Sequence, residues 1–374
     1  MNVGLLPTVR GGLALFARTG QRSRLVDGYL TPYARAFDEV WYFSYLAESL
    51  GEPALEPRVR LVPAPPQIHP WVYAGLLPVV RAPAFRRCHV LRVFQLTGVL
   101  PALVARRLHG TPFVTTYGFW YEKLAGSPAR ARVRRLLERV GLPAAAAVIV
   151  TTEQLRAHVV RRVPPERVRL VPNGVDTTTF VPVPRKRRDV REVVYVGRLS
   201  AEKNVETVVE ALGKLGGRHA VRLTVVGDGP CREAILSAAK HLAVDVRLLG
   251  FVDHRRLPAL LADADVFVLP SLTEGHPKAL LEAMSTGLPC LASDVDGNRA
   301  VVAPGETGLL FDPRDASGLA DALDRVFTDG ELARRLGKAA RVRAVEAYDL
   351  GRLVAGEIAL LTDVAARGGP PATP

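Results

Sequence analysis

V-V-Y-V-G-R-L-S-A-E-K-N, residues 193–204, is the stretch on which the fold turns. A short run of β-branched and aromatic residues closes on Gly197, and a polar segment then leads into a helical pattern. That order is how a parallel strand delivers the chain to the carboxyl edge of a sheet. Arg198 and, five residues on, Lys203 arrive at that edge together. Two cations beside a helix start suit a diphosphate, since charge and free backbone N–H groups both favour an anion there. The same pair also reads as a solvated strand-end arginine and an ordinary helix-start lysine.

Similar short apolar runs recur on both sides of it. Residues 222–226, 246–248, 266–269 and 290–292 continue one series, and residues 13–17, 39–43, 59–62, 89–94, 113–116, 147–151 and 168–171 form an earlier one. Strands alternating with helical segments predict parallel α/β units, and two series predict two doubly wound parallel-sheet domains, as the 374-residue length also does. Residues 172–191 interrupt the rhythm with prolines and the cluster Arg185-Lys186-Arg187-Arg188. The expected division is a domain over 1–180, a hinge over 181–191, a second domain over 192–349, a helix over 350–366 and a disordered tail over 367–374. Two such domains place their ligand in a cleft that faces the carboxyl ends of the strands.

Composition narrows the class. Apolar residues at 48% and charged residues at 23% are ordinary globular usage, and no uninterrupted apolar stretch is long enough to span a bilayer. Cys88, Cys231 and Cys290 are odd in number and lie far apart, which suits reduced residues of a cytosolic protein rather than a disulfide framework or a metal site. The formal charge is +13, and residues 1–180 hold 24 Lys and Arg against 11 Asp and Glu, whereas the remainder is balanced. The basic first half is therefore expected to meet something anionic. Nucleic acid is disfavoured because aromatic residues are few and no nucleic-acid motif is present.

A second segment, P-S-L-T-E-G-H-P-K-A-L-L-E-A-M-S-T-G-L-P at 270–289, carries the remaining chemistry. Glu274 lies in a loop and Glu282 inside the following helix. The helix start at His276, Pro277, Lys278 and Ala279 offers N–H groups to a phosphate, and the two carboxylates can accept bonds from sugar hydroxyls. A helix with an acidic first turn is the plainer reading.

Taken together, V-P-N-G-V-D at 171–176, G-R-L-S-A-E-K-N at 197–204, G-D-G-P at 227–230 and E-G-H-P-K-A-L-L-E-A-M at 274–284 closely resemble the retaining glycosyltransferases of family 4. The resemblance is dense over 166–350 and thin over the first 110 residues. It implies a GT-B fold of two Rossmann-like domains facing a cleft, with the donor on the second and the acceptor on the first. It also implies that Arg198 and Lys203 bind the donor diphosphate, Glu274 the transferred sugar and Glu282 the ribose, that Gly250, Phe251 and Val252 lie along the base, and that Gly197 and Gly275 belong to the donor site; Glu274, Arg198, Lys203 and Tyr117 are the expected catalytic residues. The usual front-face mechanism of such enzymes uses no metal, and no cofactor beyond the nucleotide sugar is expected.

Three departures from the family pattern bear on the acceptor side. Tyr117, before Gly118, stands where many members have a histidine that touches the donor sugar. Ala300 stands near a common glutamate. The first loop is expected at residues 18–24, with Thr19 and Gly20 on the acceptor side, and Gly11 and Gly12 ahead of the first strand rather than after it. Asp263-Ala264-Asp265 and Asp294-Val295-Asp296 resemble metal motifs, but the first precedes its strand and the second lies in the family's glycine loop.

Residues 127–140 predict a basic helix with Val133, Leu136, Leu137 and Val140 on one face and Arg130, Arg134, Arg135 and Arg139 around it. With Arg81, Arg86 and Arg87 following the apolar run 71–80, this suggests docking on anionic lipid at the inner face of the cytoplasmic membrane. The run 71–80 reads equally as a core helix. The expected protein is a cytosolic hexosyltransferase that uses a UDP- or GDP-sugar on a lipid-linked or membrane-presented acceptor. The rivals are a transferase with a soluble acceptor and a nucleotide-sugar epimerase. A dinucleotide oxidoreductase is disfavoured, because no strand is followed by GxGxxG with its acidic partner.

Overall fold

The structure is a computed structural model and describes residues 1–49, 55–121, 128–184 and 189–368. The basic cluster 185–188 and most of the expected tail lie outside them. The chain forms two compact units, Met1–Pro172 with the chain from Arg352 onward, and Asn173–Gly351.

The first unit carries seven strands: β1 (Asn2–Leu6), β2 (Glu39–Phe43), β3 (Val59–Val62), β4 (Val90–Val93), β5 (Phe113–Tyr117), β6 (Ala147–Val150) and β7 (Val168–Leu170). They form one parallel sheet in the order β3-β2-β1-β4-β5-β6-β7. The second unit carries β8 (Arg191–Val196), β9 (Val221–Val226), β10 (Asp245–Leu248), β11 (Val266–Leu269), β12 (Cys290–Ser293) and β13 (Leu309–Phe311). These are also parallel, in the order β10-β9-β8-β11-β12-β13. Central strands such as β4, β6, β11 and β12 are buried along their whole length, as strands covered on both faces must be.

One expected strand is a helix. Residues Leu13–Arg18 are helical, and the first strand is β1, so Gly11 and Gly12 follow it. Gly12 is the extended N-cap residue, and the Glu48 carboxylate caps the helix in its place, accepting from the Leu13 and Ala14 amides at 2.9 and 2.6 Å. Thr19 and Gly20 therefore end a helix instead of following a strand, and the Thr19 hydroxyl donates back to the Leu15 carbonyl. The short strand β13 is an addition to the expected series.

The unit boundary falls before Asn173 rather than after residue 180, for a definite reason. Val175 forms a bridge with Asp349, and the Arg341 guanidinium donates to the carbonyls of Thr177 at 3.0 Å and Phe180 at 2.8 Å. Residues 173–180 are thereby built into the second unit. The last helix, Leu350–Gly368, returns the chain to the first. There Glu357 is buried against Arg92 of β4, its carboxylate accepting from Nε at 2.6 Å and Nη2 at 3.2 Å, with the Tyr33 hydroxyl as a third donor.

Candidate functional site

The sheet order of the second unit explains why two distant motifs act together. β8 and β11 are neighbours, and the connections leave them in opposite directions, to β9 on one side and β12 on the other. This is the topological switch point of an open parallel sheet, where the loops splay and a ligand can enter. β8 runs into Gly197-Arg198, and β11 runs into Pro270 and the loop that carries Glu274.

These loops pack backbone against backbone. A Cβ on Gly227, whose φ is +133°, would collide with the Gly197 carbonyl, and one on Gly297 would lie 2.5 Å from the Glu274 carbonyl carbon. The Leu272 amide donates to the Glu202 carbonyl at 2.8 Å. Asn204, in the left-handed region, sends its amide to the carbonyls of Pro270 at 3.1 Å and Pro313 at 2.7 Å. The one-turn helix Ala201–Lys203 is thus tied to the loop after β11.

As a result the two motifs meet through charge. Lys203 Nζ lies 2.6 Å from Glu274 Oε1, with side chains 19% and 5% exposed, and the Ser271 hydroxyl donates to the same oxygen at 2.7 Å. Four residues after Glu274 begins the Lys278–Ser285 helix, whose N-cap Pro277 provides no side-chain acceptor. Its first amides point toward the loop end, as in a helix start that receives an anion. Arg198 is exposed, with Nη2 3.4 Å from Glu202, and its carbonyl accepts from the buried Tyr195 hydroxyl at 3.0 Å.

Glu282 is buried on that helix and accepts from His254 Nε2 at 2.7 Å. The Gly250–Val252 loop is joined to the G-D-G-P loop by a hydrogen bond of 2.8 Å that the Gly227 amide donates to the Gly250 carbonyl, and Phe251 is exposed. His276 is buried, and its carbonyl accepts from Asn173 Nδ2 at 2.6 Å, which links the V-P-N-G segment to E-G-H-P. Burial pushes the His276 imidazole down to about 3, with the Lys278 and Arg343 cations adding to the effect. Asn173, Asn204 and Ser271 emerge from the structure as supports; the asparagines stand in the quoted motifs, but nothing in their spacing marks them.

In the D-x-D pairs, Asp265 and both Asp294 and Asp296 face arginines. Asp265 accepts from the Glu192 amide at 2.8 Å and lies 3.8 Å from Arg191, while Asp294 and Asp296 bracket Arg299 at 2.6 and 3.5 Å.

In the first unit, Tyr117 is buried and its hydroxyl donates to Glu138 Oε2 at 3.2 Å, with the ring stacked on His158. His158 Nε2 lies 2.5 Å from the other oxygen of Glu138. Tyr117 thus meets the buried Glu138 carboxylate of the Pro128–Ala144 helix through its hydroxyl. Gly118 follows it and accepts from the Thr151 hydroxyl at 3.5 Å. That helix docks through Leu137, Glu138, Gly141 and Leu142, so Leu137 turns inward from the face predicted for it, while Val133, Leu136 and Val140 stay exposed. Arg130 and Arg135 are exposed, and Arg134 donates to the Tyr121 carbonyl at 2.8 Å.

Paired Rossmann-like sheets with a cation–carboxylate site at one switch point define the GT-B class. Two family models match in series, Glycosyltransferase Family 4 over residues 33–179 and Glycosyl transferases group 1 over 176–343. The chain belongs to the group 1, family 4 glycosyltransferases. It is 36% identical over 186 residues to the glycogen synthase of Mycobacterium tuberculosis, a match covering 49% of this chain and 45% of that protein. The chain therefore spans about half the length of that relative. It is 30% identical over 279 residues to the Escherichia coli UDP-Gal:alpha-D-GlcNAc-diphosphoundecaprenol alpha-1,3-galactosyltransferase, covering 69% of this chain and 70% of that one. Among solved structures, sucrose-phosphate synthase from Thermosynechococcus elongatus superposes with a TM-score of 0.80 at 25% identity, over 98% of this chain and 100% of that one.

Proposed function

We propose that this chain is a retaining hexosyltransferase that holds a nucleoside diphosphate sugar, UDP- or GDP-linked, on the Asn173–Gly351 unit and needs no metal. The observation that carries this reading is the Lys203–Glu274 pair at 2.6 Å, four residues ahead of an uncapped helix start. A cation and a hydrogen-bond acceptor so placed serve the two halves of a sugar diphosphate. Glu274 accepts from hydroxyls of the sugar, and Lys203, Arg198 and the helix amides meet the diphosphate.

The chemistry follows from where charge develops. The bond from sugar C1 to the diphosphate oxygen breaks, and negative charge grows on the leaving oxygens, where preorganised cations and N–H groups stabilise it most. The acceptor oxygen bonds to C1 on the same face, and its proton passes to the leaving phosphate. Incubation with a UDP- or GDP-sugar and analysis of product and anomeric configuration tests this. An extended acceptor with retained configuration supports it; an epimerised nucleotide sugar, or inversion, contradicts it.

For the acceptor we favour a lipid-linked or membrane-presented glycan, with the protein peripheral at the inner face of the cytoplasmic membrane. No helix among the described residues is long and apolar enough to cross a membrane. The Pro128–Ala144 helix instead turns Val133, Leu136 and Val140 outward among arginines, and the Val99–His109 helix beside it exposes Leu108. The Pro70–Val80 helix, which also packs on that neighbour, exposes Val72, Leu76, Val79 and Val80 while burying Tyr73, Ala74 and Leu77. Exposed apolar residues beside arginines on packed helices are what an anionic interface attracts. Flotation with anionic vesicles tests it: binding that rises with anionic lipid and falls with salt is expected, and indifference to both favours a soluble acceptor.

A further inference from the structure

We propose that His254 is a positioning residue for the donor's ribose, fixing the Glu282 carboxylate so that it accepts from the ribose hydroxyls. The proposal rests on the nucleoside diphosphate sugar reading of the second unit. His254 lies 28 positions from Glu282 in sequence and in none of the motifs, yet its Nε2 is 2.7 Å from Glu282 Oε1, with the side chains 13% and 3% exposed. Because a carboxylate accepts, Nε2 carries the proton. The bond occupies one of about four lone-pair sites on the carboxylate. It offsets part of the cost of keeping a charge out of water and selects one orientation of the group.

The imidazole is itself held. Its ring tilts against Phe180 at 5.3 Å, and the Phe180 carbonyl is fixed by Ser285 Oγ at 2.7 Å and Arg341 at 2.8 Å. The turn His254–Arg256 is capped by Asp253, which accepts from the Arg255 amide at 2.8 Å. The turn follows Gly250, Phe251 and Val252, the residues assigned to the base, so one hydrogen bond joins the base loop to the ribose carboxylate. His254 thus sets the distance between the two recognition points.

The test is the ratio of dissociation constants for the 2′,3′-dideoxy nucleoside diphosphate and its parent, using whichever of UDP, GDP or ADP stabilises the wild-type chain. Loss of bonds to a charged group predicts a ratio of about 10 or more in wild type. His254→Phe keeps a ring against Phe180 and removes the donor, and its ratio should fall below about 3, the change expected when a charged hydrogen bond is lost. His254→Gln keeps a donor and should restore the ratio. General loosening of the fold would weaken both ligands alike and leave the ratio intact. If His254→Phe keeps the wild-type ratio while Glu282→Ala loses it, His254 has no such role and the ribose assignment stands. Loss in both His254 variants also contradicts the proposal, since the donor would not be the cause. If Glu282→Ala keeps the ratio, or no nucleotide binds, the underlying reading fails and the inference falls with it.

Discussion

Burial, aided by the neighbouring Lys278 and Arg343 cations, lowers the His276 imidazole to about 3 against an ordinary 6.5 and so keeps it neutral. A histidine whose folded value is depressed takes up a proton more readily when unfolded. Its contribution is therefore complete above about pH 6.5 and is lost as pH falls toward 3, at about 1.4 kcal/mol per pH unit. Melting temperatures measured from pH 7 to 5 should fall in wild type and fall less in His276→Phe. If Glu274 accepts from the sugar hydroxyls as proposed, Glu274→Ala should lower turnover by about 10²-fold or more while nucleotide affinity changes little. Arg198→Ala should weaken nucleotide binding as well; calorimetry beside a transfer assay separates the two. Arg198, Lys203, Glu274 and Glu282 stand out in the sequence because each sits in a dense local motif, and the fold brings Lys203 and Glu274 to one switch point. The sequence hides His254, whose partner is remote along the chain, and it hides the hydrogen bond from Tyr117 to Glu138, because position after a strand does not reveal which neighbouring helix takes the hydroxyl.

Among the elements, the last helix depends on one buried charge pair. Arg92 and Glu357 are 4% and 6% exposed, and burial together with the Glu357 charge raises the Tyr33 hydroxyl well above its ordinary value, so the phenol stays a donor. Removing one partner leaves the other charge buried alone. Glu357→Ala should cost about 3–5 kcal/mol in denaturant unfolding, whereas an Arg92→Met, Glu357→Leu double variant should recover most of it. Leu136, 60% exposed on the Pro128–Ala144 helix, gives a separate test: Leu136→Asp should abolish vesicle flotation and leave nucleotide binding unchanged. The helix Leu13–Arg18 shows where element reading stops. Five apolar residues fit a strand or a helix equally, and the deciding group is Glu48, more than thirty residues away, whose carboxylate caps the helix.

Across the whole molecule the two parallel sheets are legible because strands buried on both faces must be continuous apolar runs; β11 is bounded as its sequence predicts, and β8 and β12 nearly so. The boundary at Pro172 is less so, because prolines mark a break without saying which unit the following residues join. Arg341, far along the chain, decides it. The central claim is that the Asn173–Gly351 unit holds a nucleoside diphosphate sugar. A thermal-shift panel of UDP, GDP, ADP and their common sugars, run on wild type and Lys203→Ala, tests it most directly. At a hundredfold excess over Kd a ligand stabilises by about 2.7 kcal/mol. For a unit of this size that raises melting by roughly 5–10 °C. One nucleotide family should give that shift in wild type and a clearly smaller one in Lys203→Ala. A flat panel in wild type, or an equal shift in both proteins, would contradict the account.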